Sequence, residues 1–402
     1  MTALPHPFPS TSRILSGTGG LLRLSNNCRA YSTKVVKEND IVLLKHRNNP
    51  SAPIVTGKLR SGRKTTLSAT SNWRDAIEND HIIGKELREV VTSRKGVHYR
   101  ILEPTLAEYT DCSPRIVTPI YSQDASLIVS LLDLHPTPPR PNETNEEVLE
   151  IFEAGTGHGA LTLHLARAIH AANPPAPTPE PIAPTEDNTV RTEQNLAIEK
   201  AWRKARRAVV HTLDINAAHS HHAAQVVKNF RRGLYFPNVD FHTGTIEEYL
   251  SGRLADSDDP FLDHAILDLP STHEYFEIVS KAMKANGTLI GFCPSITQIN
   301  SCVLLTKQKN LPFFLEKVIE IGGAVGGREW DVRLVTPRAL KNDSGEKQAT
   351  VDTVGEVEDR KASETTNRGE EMVCRPKVGG RVSGGGFVGL WRRITPFSPQ
   401  SP

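Results

Sequence analysis

The stretch from Val148 to Thr162 constrains the fold of this chain more than any other. An apolar run, Val148 to Ala154, enters the turn Gly155-x-Gly157-x-Gly159, and a helix-compatible segment, Ala160 to Ala171, leaves it. A strand that stops at such a turn brings bare backbone against a ligand, because glycine has no Cβ to hold the ligand off. The helix start beyond it adds N–H groups with no partner inside the helix. Three glycines alone do not separate one nucleotide-like cofactor from another, since a nicotinamide-binding fold has a similar turn.

Two later apolar runs narrow the choice. The first, Ala208 to Leu213, ends at Asp214. In a doubly wound sheet, an acid at the tip of the second strand is placed to accept hydrogen bonds from ribose hydroxyls, and the other reading is a surface Asp capping the next helix. The spacing from the glycine turn exceeds the usual distance of roughly twenty residues. Residues 173–195, rich in Pro, Ala, Thr and Glu, account for the excess as an unstructured insertion. The second run, Asp263 to Leu267, ends in Asp268-Leu269-Pro270, and the proline stops the ladder with Asp268 at the carboxyl edge. A helix over 273–285, the Asn286-Gly287 turn and a buried strand over 288–294 complete a βαβ order, which predicts an α/β fold with a parallel core.

These residues carry a resemblance. Glu153-Ala154-Gly155-Thr156-Gly157-x-Gly159-x-Leu161-Thr162, Leu267-Asp268-Leu269-Pro270 and Phe292-x-Pro294-x-x-x-Gln298 resemble the tRNA (adenine-N1) methyltransferase catalytic-subunit family. Upstream, His81 to Lys85 and Ile101 to Tyr109 resemble that family's small N-terminal β domain, and Arg115 followed by Ile120-Tyr121-x-x-Asp124-Ala125 resembles its joining segment. Arg328 to Arg333 and Gly386 to Leu390 resemble its closing strands. The likeness implies a Rossmann-like class I methyltransferase that uses S-adenosylmethionine on adenosine 58 of the tRNA T-loop, in a mitochondrial, fungal-type member. It implies Asp268 as the catalytic carboxylate and Tyr121 as the aromatic that holds the base. Glu153, Gly155, Thr156, Gly157, Gly159, Ala160, Leu161, Asp214, Thr245 and Asp268 would border the cofactor. It further implies a tetramer, either of one subunit or with a non-catalytic partner.

The chemistry suits these side chains. N1 of adenine attacks a methyl carbon in the ring plane, and methylation leaves a cationic ring. A carboxylate orients the exocyclic amine, takes its proton and stabilises the new charge, while most of the acceleration comes from alignment. A base flipped out of folded RNA stacks on something flat, which Tyr121 supplies. Asp124 reads either as part of the active-site edge or, preferably, as a cap for a helix over 125–132. Three departures stand out: Thr118 where the family carries Gln, Gly244-Thr245 where it carries Gly-Asp, and His158 where it carries a small residue. They leave open a catalytically silent RNA-binding subunit. A different mitochondrial RNA adenosine and a small-molecule substrate are further alternatives.

Residues 1–37 contain no Asp or Glu but hold Arg13, Arg23, Arg29, Lys34 and Lys37, the composition of a mitochondrial presequence. Arg29-Ala30-Tyr31-Ser32 resembles a matrix-peptidase site, cut after Tyr31. Domains are therefore expected as a presequence over 1–31, a basic β domain over 38–112 and a methyltransferase domain over 113–337, with a disordered insertion over 338–383 and a closing strand over 384–396. Within the β domain, Lys45, Arg47, Lys58, Arg60, Arg63 and Lys64 form a one-signed surface suited to RNA phosphates. Lys200 to Arg207 form a second basic cluster, for which a merely solvated face is the alternative. The net charge of +2 says little, because acidic segments offset these patches. None of the five cysteines has metal-ligand spacing, so no metal is expected. His219, His221 and His222 read as a polar helix face. No apolar run is long enough to span a bilayer.

Overall fold

The computed structural model describes residues 34–46, 53–67, 75–139, 147–177, 188–257, 259–322, 330–335, 371–376 and 385–395. The small β domain contains strands β1 (Leu43–His46), β2 (Ile54–Val55), β3 (Lys64–Thr66), β4 (Ala76–Glu78), β5 (Val90–Thr92) and β6 (His98–Leu102). They form a four-stranded sheet in the order β2-β1-β6-β5 and a separate β3-β4 pair. Alternation is clear in β5 and β6, where Val91, Tyr99 and Ile101 point inward while Val90, Thr92, His98 and Arg100 face water. Val42, Leu44, Leu59, Ile77 and Ile82 complete this core.

Helix α1 (Leu106–Cys112) begins at Thr105, whose hydroxyl accepts from the Glu108 N–H while the Glu108 carboxylate accepts from the Thr105 N–H. The expected domain boundary places α1 with the β domain. Its Leu106 and Tyr109 instead pack into the core of the large sheet, because they carry the only long apolar stripe on so short a helix.

The large sheet uses β7 (Leu149–Ala154), β8 (Ala208–Asp214), β9 (Val239–Thr243), β10 (Leu262–Leu267), β11 (Met283–Cys293), β12 (Phe313–Ile321) and β15 (Gly386–Arg393), in the order β12-β15-β11-β10-β7-β8-β9. Only β15 runs against the rest. The strand order reverses between β7 and β10, which pair in parallel from His264 with Ile151 to Leu267 with Ala154. In open α/β sheets that switch point is where ligands bind.

Helices α2 (Ser122–Leu131), α3 (Ala160–Ala168), α4 (Asn188–Lys204), α5 (Ala217–Asn229), α6 (Ile246–Asp256), α7 (Phe276–Ala282) and α8 (Ile296–Gln308) accompany the sheet. Residues alternate across β7, so Ile151 joins one core with α3 and α5, and Phe152 and Ala154 join another with α6 and α7. Trp391 closes the second core, fully buried against Phe276. It fits because Gly389 has no side chain there: a Cβ would stand 2.3 Å from the indole.

Two expected insertions are partly ordered. Helix α4 starts at Asn188, inside the 173–195 segment, and carries good helix formers from Glu193 to Lys204. Within 338–383, strand β14 (Glu371–Pro376) pairs antiparallel with β13 (Trp330–Val335). Non-local pairing of this kind leaves little periodic trace in a polar segment. The expected helix over 273–285 is shorter, since β11 already starts at Met283. Among the described residues, no helix is long and apolar enough to cross a membrane.

Candidate active site

The site begins where β7 and β10 separate. Gly155 has φ +94°, and a Cβ on it would lie 2.0 Å from the backbone oxygen of Asp268. The two strand ends touch through backbone, so glycine is needed twice over, for conformation and for space. Gly159, at φ +82°, lets α3 approach α5, where a Cβ would stand 2.8 Å from that of Ala223. Ala160 and Leu161 follow as the first, buried turn of α3. The Thr156 and Thr212 hydroxyls lie 2.7 Å apart and tie the turn to β8.

Asp214 ends β8 and organises this turn. One carboxylate oxygen accepts from the Gly157 N–H at 2.9 Å and the other from the Asn216 N–H at 2.9 Å. Each oxygen keeps a second acceptor position, so ribose hydroxyls can still be held. The capping alternative goes to Asn216, whose side chain accepts from the Ala218 N–H at the start of α5. Replacing Asp214 by Ala is expected to weaken S-adenosylmethionine binding by roughly ten- to a hundredfold while the fold persists, because a charged acceptor is worth about 1.5–3 kcal/mol. Calorimetric titration checks this, and unchanged affinity would remove Asp214 from the site.

Two carboxylates lie close behind. Glu153, only 1 % exposed, accepts from the Thr162 hydroxyl at 2.6 Å. Burial raises its pKa to about 7 despite hydrogen bonds from Thr162 and Thr212, and the charges of Asp268 and Asp214 add to the rise. Burial likewise raises Asp268 to about 6. Its backbone N–H donates to the Ala154 carbonyl at 2.9 Å, which fixes the main chain of this residue beside the glycine turn.

For a folded-state pKa above the unfolded value, the protonated form's stabilisation is complete below about 4.5 and lost as pH rises through about 7. Glu153→Gln should therefore gain stability relative to wild type by on the order of 3 kcal/mol between pH 4.5 and 8. Urea unfolding of the ligand-free protein at both pH values measures it. A pH-independent difference would contradict the buried-acid assignment.

The joining segment lies over the turn, with the Val117 Cγ2 3.4 Å from where a Gly157 side chain would begin. Tyr121 is the residue before α2, with extended backbone, and its hydroxyl accepts from Arg115 at 3.1 Å. The Arg115 guanidinium lies 5.6 Å from the ring centre. Asp111, rather than Asp124, serves the start of α2 by accepting from both the N–H and the hydroxyl of Ser122. Asp124 lies one turn too far along to cap and accepts instead from the Gly322 N–H at the end of β12.

Several other expected positions have structural duties. Thr245 caps α6, its hydroxyl accepting from the Glu248 N–H in a reciprocal pair, so its side chain is already engaged. Gln298 closes the same kind of pair with Ser295 at the start of α8. His158 is buried with both ring nitrogens unpartnered, 5.4 Å from the His222 ring. Burial, with the His222 charge, lowers its pKa to about 4, so it stands neutral in the turn. His219 lies 3.6 Å from Asp214. Two of the three clustered histidines thus face the glycine turn, and His221 is the exposed one.

The basic residues divide similarly. Lys58, Arg60 and Arg63 are exposed on the loop leading into β3, and Lys64 is exposed as the first residue of that strand. Lys45 is paired with Glu108 at 2.6 Å, and Arg47 lies outside the described residues. In the second cluster, Arg203 and Arg206 both pair with Asp240, and Arg206 is 8 % exposed. Asp240 comes from β9, so a composition reading counts as basic surface two arginines that the fold pairs with an acid.

The glycine cradle and the remaining acceptor positions of Asp214 fit S-adenosylmethionine, which supplies the methyl group as a sulfonium. No family model matches the chain. It is 31 % identical over 245 residues to the tRNA (adenine(58)-N(1))-methyltransferase TrmI of Thermus thermophilus, in each of two strains, covering 61 % of this chain and 72 % of that protein. Its fold is shared with a SAM-dependent O-methyltransferase of Thermotoga maritima, at 15 % identity and a TM-score of 0.54 over 90 % of this chain and 96 % of the other. The tRNA (m1A58) methyltransferase TrmI of Aquifex aeolicus is similar at 16 % identity and a TM-score of 0.51, over 90 % and 100 %. The identity to the two Thermus proteins places the chain in the tRNA (adenine(58)-N(1))-methyltransferase family.

Proposed function

We propose that this chain transfers a methyl group from S-adenosylmethionine to N1 of adenosine 58 in the T-loop of mitochondrial tRNA. The observation that carries the reading is Asp268, half-buried at the β7–β10 switch point with its backbone fixed beside the glycine turn. Asp268 accepts a hydrogen bond from the exocyclic amine, holds N1 in line with the methyl carbon and takes up the proton that the product sheds. Tyr121, steadied by Arg115, gives the flipped base a flat surface. The exposed Lys58, Arg60, Arg63 and Lys64 supply affinity for phosphates.

The acid-free stretch over 1–37 supports a mitochondrial matrix location. Protein recovered from mitochondria should begin at Ser32. Assembly is proposed as a tetramer, of this chain or with a non-catalytic partner, since one modest subunit offers little surface to grip a folded tRNA.

The test uses purified protein, labelled S-adenosylmethionine and an unmodified mitochondrial tRNA, beside the same tRNA with guanosine at position 58. Label in the first RNA alone supports the reading. Equal label in both, or label in neither when the cofactor is bound and a partner subunit is present, overturns it.

A further inference from the structure

Between α5 and β9 the backbone does something unusual for its residues. Arg231 (φ +44°, ψ +45°) and Arg232 (φ +59°, ψ +29°) are consecutive left-handed residues, followed by Gly233 at φ +82°. Glycine or asparagine takes that conformation readily; a long side chain does so against steric resistance. Such local strain persists when surrounding contacts over-determine it. Here the contacts come from the β domain. The Arg232 guanidinium lies 2.7 Å from the Asp40 carboxylate, and Arg231 lies 3.7 Å from Glu103. The turn is anchored from beneath by buried Phe230, which packs on Tyr109, whose hydroxyl donates to the Val226 carbonyl.

Asp40 leads directly to the basic loop. Its backbone oxygen accepts from the Leu59 N–H at 3.0 Å, and the neighbouring Asn39 N–H donates to the Leu59 oxygen at 2.7 Å. Leu59 is fully buried between the exposed Lys58 and Arg60. At the other end of α5, Asn216 bonds to Asp214. One helix thus joins the cofactor edge to the turn, and the turn holds the segment before β1 that lies beside the basic loop.

We propose that Arg231 and Arg232 are positioning residues that fix the 58–64 basic loop relative to the catalytic edge, so that RNA phosphates and the target base are engaged together. The phosphate-binding part of this rests on the methyltransferase reading above. The strained arginines spend local stability to hold the two parts of the molecule in one geometry.

The test compares full-length wild type, Arg231→Ala/Arg232→Ala and Arg231→Lys/Arg232→Lys. In the alanine variant, amides over 57–64 should exchange with deuterium roughly five- to tenfold faster without RNA, and the KM for tRNA should rise by a similar factor. Its kcat and cofactor affinity should stay near wild type, and the lysine variant should recover most of the KM. Unchanged exchange and KM would overturn the proposal, as would a parallel fall in kcat and cofactor affinity. Exchange is read without substrate, so it judges the turn even if the wild type fails to methylate RNA, an outcome that would sink the functional reading instead.

Discussion

Asp268→Asn should lower kcat for methyl transfer by about a thousandfold while cofactor affinity stays within a few-fold of wild type. The side chain keeps its size, and its backbone N–H still donates to Ala154, so the β7–β10 junction is undisturbed. What is lost is the negative charge that, in the proposed mechanism, accepts from the amine and takes the proton. The same argument sets the pH dependence. With its pKa raised to about 6 by burial, Asp268 is charged above that value and neutral below it. Wild-type kcat/KM should therefore fall tenfold for each pH unit below about 6. The asparagine variant should lack that limb. A variant that keeps half its activity would remove Asp268 from the chemistry.

Gly155→Ala should be at least as damaging, by a different route. The added methyl would overlap the Asp268 carbonyl at 2.0 Å, and alanine would be forced to φ +94°. The neighbour is backbone within paired strands, so no side-chain rotation relieves the clash. Either the strand ends part or the turn abandons its conformation, at a cost on the order of 3 kcal/mol or more. Cofactor binding should become undetectable, and the unfolding midpoint should drop by several degrees. Gly157→Ala offers the contrast: it meets a Val117 methyl at 3.4 Å and the Gly155 oxygen at 3.9 Å, both ordinary contacts, although φ +50° still strains it. Calorimetric titration and thermal unfolding of both variants separate the two positions. Equal, small effects would show that the close approach at Gly155 is not required.

The chain's parallel core was legible because its signals are local. A buried strand, a glycine turn and an acid at a strand end each occupy a few consecutive residues, and Glu153, Asp214 and Asp268 fall where such patterns put them. What stayed hidden depends on partners distant in sequence. Arg203 and Arg206 read as a basic surface until the fold brings Asp240 between them. Thr245 and Asp124 illustrate the same limit at the level of one turn. Either residue type can cap a helix, and only the actual helix starts show that Thr245 does so and Asp124 does not. The histidines of α5 carry a helical spacing, yet nothing local says that His222 meets His158 across the turn. The left-handed Arg231-Arg232 pair leaves no sequence signal at all, since arginine is not a residue from which such a conformation is expected.

The most direct test of the central claim is the identity of the methylated nucleoside after a single turnover on an unmodified tRNA, with Asp268→Asn run beside the wild type at matched cofactor occupancy. The proposed in-plane alignment of the base beside Asp268 predicts 1-methyladenosine from the T-loop in the wild-type reaction and essentially none from the variant. Methyl on the exocyclic nitrogen, methyl at another site in the RNA, or equal yields from the two proteins would contradict it.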